Sequence, residues 1–379
     1  MVDNEFQNQP RDRQEDMVVK DEVNSRPTVE VPVLEKQDDI IENKSKPKFI
    51  GLDVGTNMII ASTMSDNGGT VFKMQRDCYY MITPKSEVNK NSIKISLDKR
   101  QANYFIDEDS SFIVVGEDAL DVSIERNDVA ERPLQKGVIS PKNKRSLPIL
   151  KRIIKDLVGT TDVHGSKVVY SIPGAPEDSQ FNISYHSEII GSYLKELGFS
   201  ESTPINEAFA VGISSLLDDG LTGITCSFGA GMCNICVICE GDAMIEFSLT
   251  KSGDFIDESV GTALDLSPSM IQKEKETGVD LLNPKTEIET AIAVYYGVVI
   301  KYILSNIAFE LASRKKDLPI FRTGIPIVLA GGLALAKGFV EKVEEVLATI
   351  DFPLKISEVR LANDPLTTVA NGCLLAAHL

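Results

Sequence analysis

The most constraining feature of this sequence is a pair of glycine-rich turns, each of which follows a run of apolar and β-branched residues. The first lies in residues 49–57 (FIGLDVGTN), and the second lies far downstream, in residues 224–234 (ITCSFGAGMCN). Such turns tolerate positive φ and leave backbone N–H groups uncovered, which is what an anionic phosphate requires. Two such turns facing each other would hold a polyphosphate from both sides.

A third glycine turn, residues 327–334 (IVLAGGLA), allows the backbone to pass close to a flat group. The chain has a strand, a phosphate turn, a second phosphate turn and a late Gly-Gly pair, in this order. This order resembles the actin superfamily of ATPases, and within it the bacterial actins of the MreB type. The resemblance runs from about residue 48 to the C-terminus, and it includes residues 132–139 (RPLQKGVI), 253–258 (GDFIDE) and 364–372 (DPLTTVANG). Any one glycine pair is weak evidence, but the ordered set is specific.

Composition sets the limits. A chain of 379 residues with 42% apolar content can bury a substantial core in roughly two or three domains. The net charge of −17 argues against a dedicated nucleic-acid surface, which needs clustered Lys and Arg. No signal-peptide pattern opens the chain, and no run approaches the ~18 uninterrupted apolar residues of a spanning helix. We therefore expect a cytoplasmic protein.

Four of the six cysteines cluster, and their spacing needs an interpretation. Cys233, Cys236 and Cys239 have the C-x2-C-x2-C spacing, which is similar to iron–sulfur ligation, and Cys226 precedes them. The run around them predicts a strand, however, and residues three apart on a strand point to opposite faces. Buried small hydrophobic residues are the favoured interpretation.

The resemblance implies an α/β, actin-like two-lobed fold with duplicated mixed β-sheet domains flanked by helices. It assigns the first lobe core to residues 48–80, 133–205 and 361–379, a small inserted subdomain to 81–132, the second lobe core to 206–257 and 322–360, and a helical subdomain to 258–321. Residues 1–47, which are rich in charged and amide side chains, predict a disordered acidic tail. Within it, residues 28–35 (TVEVPVLE) are either simply tail or a docking motif for an adaptor.

Local patterns predict individual elements. Strands are expected at residues 49–53, 59–63, 92–97, 112–115 and 167–172, and helices at 146–157, 187–198, 208–217, 338–350 and 367–377. A long helix at 291–311 is expected to bury Val294, Val298, Ile303, Ile307 and Leu311. By resemblance, helices at 133–157 and 367–377 would connect the lobes.

The resemblance assigns the phosphate and metal contacts to the two turns. Asp53 would hold Mg²⁺ through its waters, because Mg²⁺ usually keeps several waters and takes only one or two carboxylates. Backbone donors to the phosphates of ATP or ADP would come from Gly55, Thr56, Asn57, Gly229, Gly231 and Met232.

The catalytic position departs from the family. Ser227 stands where the family usually has an Asp, and Asn234 where the bacterial members commonly have an acid. Glu207 occupies the position of the family acid that orients the lytic water, although an acid favourably placed at a helix N-terminus is the alternative. Hydrolysis is therefore expected to be slow.

The nucleoside contacts fall on the late glycine turn and on a helix. Gly331 and Gly332 would let the backbone lie against the base, and Gln272 and Lys273 match the stretch that contacts ribose and purine. Lys273 could equally be a solvated helix lysine, and both ATP and GTP stay open as ligands.

A further pair of residues, Gly253 and Asp254, lies in the loop that approaches the metal, where Asp254 could recover part of what Ser227 lacks.

Together these features predict a cytoskeletal ATPase that binds ATP with Mg²⁺, self-assembles into filaments and hydrolyses ATP slowly. The rival hypothesis is a non-polymerising nucleotide switch or pseudo-ATPase of the chaperone-like branch, which Ser227 and Asn234 favour. Because the tail is acidic and shows no basic amphipathic helix, direct membrane binding is not expected.

Overall fold

The computed structural model describes residues 48–139, 143–159, 163–180, 182–316 and 318–379. The predicted tail at residues 1–47, with its island at 28–35, lies outside the described residues.

The first half of the chain contains β1 (Phe49–Val54), β2 (Met58–Met64), β3 (Thr70–Arg76), β4 (Tyr79–Ile82), α1 (Glu87–Arg100), β5 (Tyr104–Ile106), β6 (Phe112–Val115), α2 (Glu117–Glu125), β7 (Leu134–Gln135), β8 (Val138–Ile139), α3 (Ser146–Val158), β9 (Lys167–Ile172), α4 (Ile183–Glu196) and β10 (Glu201–Asn206). The second half contains α5 (Glu207–Ser215), β11 (Gly223–Phe228), β12 (Cys233–Cys239), β13 (Asp242–Leu249), α6 (Gly253–Leu264), α7 (Pro268–Gly278), α8 (Glu287–Ser313), β14 (Ile325–Ala330), a 3₁₀ turn (Gly332–Leu335), α9 (Phe339–Leu347), β15 (Ile356–Leu361) and α10 (Thr368–His378).

Two mixed five-stranded sheets with the same strand plan form the framework. The first has the order β3-β2-β1-β9-β10 and the second β13-β12-β11-β14-β15. In each, the leading strand pairs antiparallel with the next strand and parallel with a later one. The predicted duplication of mixed sheets flanked by helices is confirmed.

Each sheet carries an insertion at the same point of its plan. In the first, a three-stranded sheet (β4-β6-β5) with α1 and α2 follows β3. In the second, α6, α7 and α8 follow β13.

Two helices, α5 and α10, pack between the sheets. A Cβ atom at Gly51 on β1 would lie 2.3 Å from the Ala370 carbonyl oxygen, so α10 lies directly on the first sheet. A Cβ atom at Gly372 would lie 1.9 Å from the Ala210 carbonyl oxygen, so the backbones of α10 and α5 touch. On the other side, Thr225 of β11 donates to the Ala208 carbonyl at 2.6 Å. The lobes are thus joined through glycine-mediated backbone contacts.

The 27-residue helix α8 is long and apolar enough, by length and composition, to cross a membrane, which is weak evidence because core helices pass the same test. Its buried stripe, which includes Ile292, Tyr296, Val299, Ile303 and Ile307, lies in the hydrophobic core of the second lobe. The predicted face was partly wrong, since Val294 and Val298 are 59% and 43% exposed.

The predicted strand at residues 92–97 is wrong, because this segment lies inside helix α1. Ser86 caps the helix by accepting from the Asn89 N–H, and Leu97 is its buried residue. Ile93 and Leu97 lie four residues apart, so a helix places both on one face against the core of the inserted subdomain, whereas Ile95 is exposed; this packing and the cap favour the helix.

The predicted helix at residues 133–157 is correct only from Ser146 onward. Residues 134–139 form the β7–β8 hairpin, whose turn places Lys136 and Gly137 at φ 49° and 74°. Two consecutive left-handed residues end any helix at this point.

The strand prediction for the cysteine run is confirmed by β12. Cys233 packs in the core of the second lobe beside Ile235, whereas Cys236 packs on the other face with Ile238. Within the described ranges, no group of three or more His, Cys, Asp or Glu side chains could hold a metal ion.

Candidate functional site

A cavity of about 370 Å³ lies where the turns of the two sheets meet, a size that is typical of small-molecule sites. Most of the predicted site residues line it, namely Asp53, Gly55, Thr56, Asn57, Glu207, Gly229, Gly231, Met232, Gly253, Gln272, Gly331 and Gly332. Asp254 and Lys273 lie outside this lining.

The two glycine turns have the same hydrogen-bonded form. The Gly55 N–H donates to the Met58 carbonyl at 3.1 Å, and the Gly229 N–H donates to the Met232 carbonyl at 2.9 Å. Each turn closes the antiparallel hairpin that begins its sheet. The sequence therefore repeats one local structure in both lobes.

Close contact between the turns explains why glycine is needed. A Cβ atom at Gly231 would lie 2.7 Å from Thr56 Oγ1 and 2.9 Å from the Gly137 nitrogen. Thr56 Oγ1 also accepts a hydrogen bond from the Gly137 N–H at 3.1 Å. The first turn, the second turn and the β7–β8 hairpin thus meet at one place.

Asp53, the last residue but one of strand β1, is a buried carboxylate on the cleft wall. Ser171 on the neighbouring strand donates to Asp53 Oδ1 at 2.8 Å, and its Oγ accepts from the Val54 N–H at 2.9 Å. Burial raises the pKa of Asp53 to about 6, against the lowering effect of the Ser171 hydrogen bond.

Glu207 begins helix α5 and faces the same cleft. Asn234 Nδ2 donates to Glu207 Oε2 at 2.8 Å, and Asn234 Oδ1 accepts from the Gly174 N–H at 2.8 Å, so the amide is held at both ends. Burial and the negative charge of Asp53 raise the pKa of Glu207 to about 8, while hydrogen bonds from Asn234 and Ser227 lower it.

These two carboxylates test whether the site fits a magnesium nucleotide. Both are buried, and the charge of Asp53 disfavours ionisation of Glu207. A divalent cation between them would stabilise both ionised forms, and carboxylate oxygens are ligands that Mg²⁺ prefers. The residues present fit the group that the sequence predicts.

The cleft is also lined by three cationic side chains that the sequence analysis did not identify, namely Arg76, Arg132 and Lys275. Arg76 ends β3 without any motif to mark it. Arg132 begins the RPLQKGVI segment, which is part of the resemblance but gave the arginine no role. Lys275 follows Gln272 by three positions on α7, so helical periodicity places both side chains on one face. This periodicity was the sequence signal that could have identified Lys275 as a cleft residue.

Arg76 links the first glycine turn to the second lobe. Its guanidinium donates to both Glu276 oxygens at 2.9 and 2.6 Å and to Asn57 Oδ1 at 2.9 Å. It also donates to Glu117 at 2.6 Å. These carboxylates hold the pKa of Arg76 above its ordinary value against the effect of its burial. The side chain of Asn57 is therefore used by protein contacts.

Asp254 and Gln272 converge on one arginine. The Arg132 guanidinium pairs with the Asp254 carboxylate and donates to Gln272 Oε1 at 2.8 Å. Gln272 Nε2 in turn donates to Asn57 Oδ1 at 2.9 Å.

Lys273 points away from the cleft. Its ammonium pairs with Glu117 at 2.6 Å and Asp121 at 3.3 Å, both on α2 of the inserted subdomain. Together with the Arg76 and Arg132 contacts, it ties α7 to the first lobe across the cleft.

Lys275 points into the cleft. Its Nζ lies 2.8 Å from Asp257 Oδ1 and donates to the Gly253 carbonyl at 3.1 Å. Burial raises the pKa of Asp257 to about 6, although the Lys275 charge lowers it.

The end of the cleft around Gly331 and Gly332 includes apolar side chains. Gly331, at φ 89°, packs so closely that a Cβ atom there would lie 2.4 Å from the Phe228 carbonyl oxygen. Next to it, a Cβ atom at Gly332 would meet nothing within 4 Å. Leu333 and Tyr296 add apolar lining, so this end is suited to a planar ring.

Comparison with known proteins places the chain in a family. The Volactin family model matches residues 49–377. No match was found among curated proteins.

Solved structures with similar folds cover nearly the whole described body. The MamK double helical filament has a TM-score of 0.63 at 19% identity, covering 88% of this chain and 99% of that chain. MreB5 of Spiroplasma citri bound to ADP has a TM-score of 0.60 at 18% identity, covering 86% and 95%. The ethanolamine utilization protein EutJ from Carboxydothermus hydrogenoformans has a TM-score of 0.52 at 15% identity, covering 87% and 90%. The fold is therefore actin-like, as the sequence predicted.

Proposed function

The chain belongs to the Volactin family, and we propose that it is an actin-like cytoskeletal protein that binds ATP with Mg²⁺ between its lobes, forms filaments and hydrolyses ATP slowly. The observation that carries the proposal is the contact between the two glycine turns, where Thr56, Gly137 and Gly231 meet beside two buried carboxylates.

Nucleotide binding is supported by the chemistry of the cleft and by a relative. The glycine turns that line the cleft suit phosphates, although the Gly55 and Gly229 N–H groups donate within their own turns and leave the contacts to the other turn residues, and the apolar end beside Gly332 suits a base. MreB5 of Spiroplasma citri, which shares the fold, has been solved with ADP and with AMPPNP. Asp53 would hold Mg²⁺ through its waters, and the bound nucleotide would supply the phosphoanhydride that is hydrolysed.

Slow hydrolysis is supported by the surroundings of Glu207. Phosphoryl transfer depends mainly on positioning and on electrostatics. Asn234 holds Glu207 by a hydrogen bond. Because Ser227 stands where the family has an acid, Glu207 is the carboxylate that faces Asp53 in this part of the cleft. A single acid positions water less firmly than two.

Self-assembly is supported by the fold it shares with the MamK double helical filament. The partner would be further copies of the same chain in the cytoplasm, with an adaptor bound through residues 1–47. The net charge of −17 speaks against nucleic acid as a partner.

A second function, a non-polymerising nucleotide switch or pseudo-ATPase, is favoured by one observation. The amide of Asn234 accepts from Gly174 and donates to Glu207, so Glu207 lies in a fixed hydrogen-bonded network whether or not chemistry occurs. In a switch, this network would serve binding alone.

Two measurements test the proposal. Calorimetry with Mg²⁺ and ATP, ADP or GTP should show binding, and Asp53→Ala should weaken the metal-dependent part of that binding. The absence of a heat of binding with every nucleotide refutes the nucleotide site.

Light scattering and negative-stain microscopy with ATP, with ADP and without nucleotide should show filaments that depend on ATP. Binding without filaments in any state would establish the switch instead.

A further inference from the structure

All three cations of the cleft have protein partners, and they differ in the part of the site beside which those partners hold them. The two arginines are each shared among several groups: Asn57, Glu117 and Glu276 for Arg76, and Asp254 and Gln272 for Arg132. Within the part of the chain that the structure describes, Lys275 donates to the Gly253 carbonyl at 3.1 Å and forms an ion pair with Asp257, whose Oδ1 lies 2.8 Å from Nζ. Since lysine has three N–H donors on one nitrogen, the ammonium keeps at least one donor for a ligand.

The position of Lys275 indicates which ligand group this donor meets. Gly253, whose carbonyl accepts from Lys275, donates its own N–H to the Gly229 carbonyl at 3.2 Å. A Cβ atom at Gly253 would lie 3.1 Å from the Ala230 Cα. The ammonium therefore lies beside the second phosphate turn.

Burial strengthens whatever Lys275 binds. The side chains of Lys275 and Asp257 are 9% and 6% exposed, and both residues line the cleft. Charges interact more strongly there than in water, because the effective dielectric constant is lower. The neighbouring Lys273, in contrast, is 40% exposed and bonded to α2.

We propose that Lys275 binds a phosphate group of the nucleotide through an N–H that its protein partners leave unused, and that Asp257 holds the ammonium in place while reducing its effective charge. The inference rests on the proposed function, and it gives the cationic contact of α7 to Lys275 in place of Lys273, to which the resemblance assigned a ribose and purine contact. A lysine suits this role because it acts on phosphate as a compact point charge.

The pair predicts opposite effects for its two members. Lys275→Gln removes the donor and the charge, and should raise the Kd for ADP by about 10- to 100-fold, the range of a hydrogen bond to a charged group. Asp257→Asn leaves the ammonium without its counter-charge, and should lower that Kd by about threefold or more. A purely structural pair would lose affinity in both variants.

The closing experiment is calorimetry with ADP, AMP and adenosine on the full chain, with thermal melts of each variant without nucleotide. Lys94→Gln breaks an exposed Lys–Asp pair, 2.6 Å long, on α1 outside the cleft, and should leave every Kd unchanged. The double variant Asp257→Asn/Lys275→Gln restores a neutral pair, so it should melt near the wild type yet bind ADP about tenfold more weakly.

The outcomes separate the two proposals. If the wild type binds no nucleotide, the proposed function fails. If the wild type binds ADP and the double variant binds it equally well, only the assignment of Lys275 fails. Equal losses for adenosine and ADP would also overturn it, because adenosine has no phosphate. A loss in Lys273→Gln with none in Lys275→Gln would return the contact to Lys273.

Discussion

Binding of Mg²⁺ and ADP should expel a proton from the cleft. The pKa of Glu207 is raised to about 8 and that of Asp53 to about 6, so the two facing carboxylates together hold about one proton at pH 7. A divalent cation between the two carboxylates lowers both pKa values below 7. We therefore expect the release of about one proton per chain.

Calorimetry at pH 7 in buffers of different ionisation enthalpy measures this number, because the apparent binding enthalpy changes in proportion to the protons released. Glu207→Gln is the control, since it keeps the Asn234 contact but has no proton to lose. It should release about one proton fewer than the wild type, and this difference should shrink to about 0.1 at pH 9. Equal slopes for the two proteins at pH 7 would refute the reasoning.

The same pKa shift sets the sign of a stability change. The pKa of Glu207 is higher in the folded chain than its ordinary value of 4.5, so the folded state holds a proton that the unfolded state has lost. Stability without ligand should therefore fall as the pH rises from about 4.5 to about 8. Thermal melts at pH 5.5 and 8.5 should show the fall in the wild type and less of it in Glu207→Gln.

Three further outcomes are expected. Ser227→Asp should speed phosphate release while Glu207→Ala should abolish it, and steady-state release from both variants would show whether either group acts on hydrolysis. Gly231→Ala should destabilise the chain by about 1–3 kcal/mol because its Cβ meets Thr56 and Gly137, whereas Gly69→Ala, with its nearest neighbour at 3.6 Å, should not; chemical denaturation measures both. Deleting residues 1–47 should leave the melting temperature and ADP binding unchanged, and a large drop would show that the tail packs on the body.

Turns and strands were predictable where the residues that determine them are neighbours in the sequence. The glycine turns and strands such as residues 112–115 depend on nearby residues, and they were found at the expected places. Residues 92–97 misled because Ile93, Ile95 and Leu97 alternate with polar residues, as in a half-buried strand. Ile95 is 67% exposed, however, and the positions that pack on the core are Ile93 and Leu97, which lie on one face of a helix. The burial of Val294 and Val298 was mispredicted because apolar residues lie on several sides of α8, so the pattern alone does not define its buried face.

The cations of the cleft were harder to predict because their partners are distant in sequence. Arg76 meets Glu276, and Arg132 meets Asp254, only after both lobes have folded. A scan for phosphate-binding residues looks for free positive charge, yet each of these cations already has a carboxylate partner, as Lys275 has in Asp257. A phosphate entering the cleft must therefore compete with these carboxylates. Affinity then depends on where each ion pair holds its cation relative to the glycine turns, and that property exists only in the folded protein.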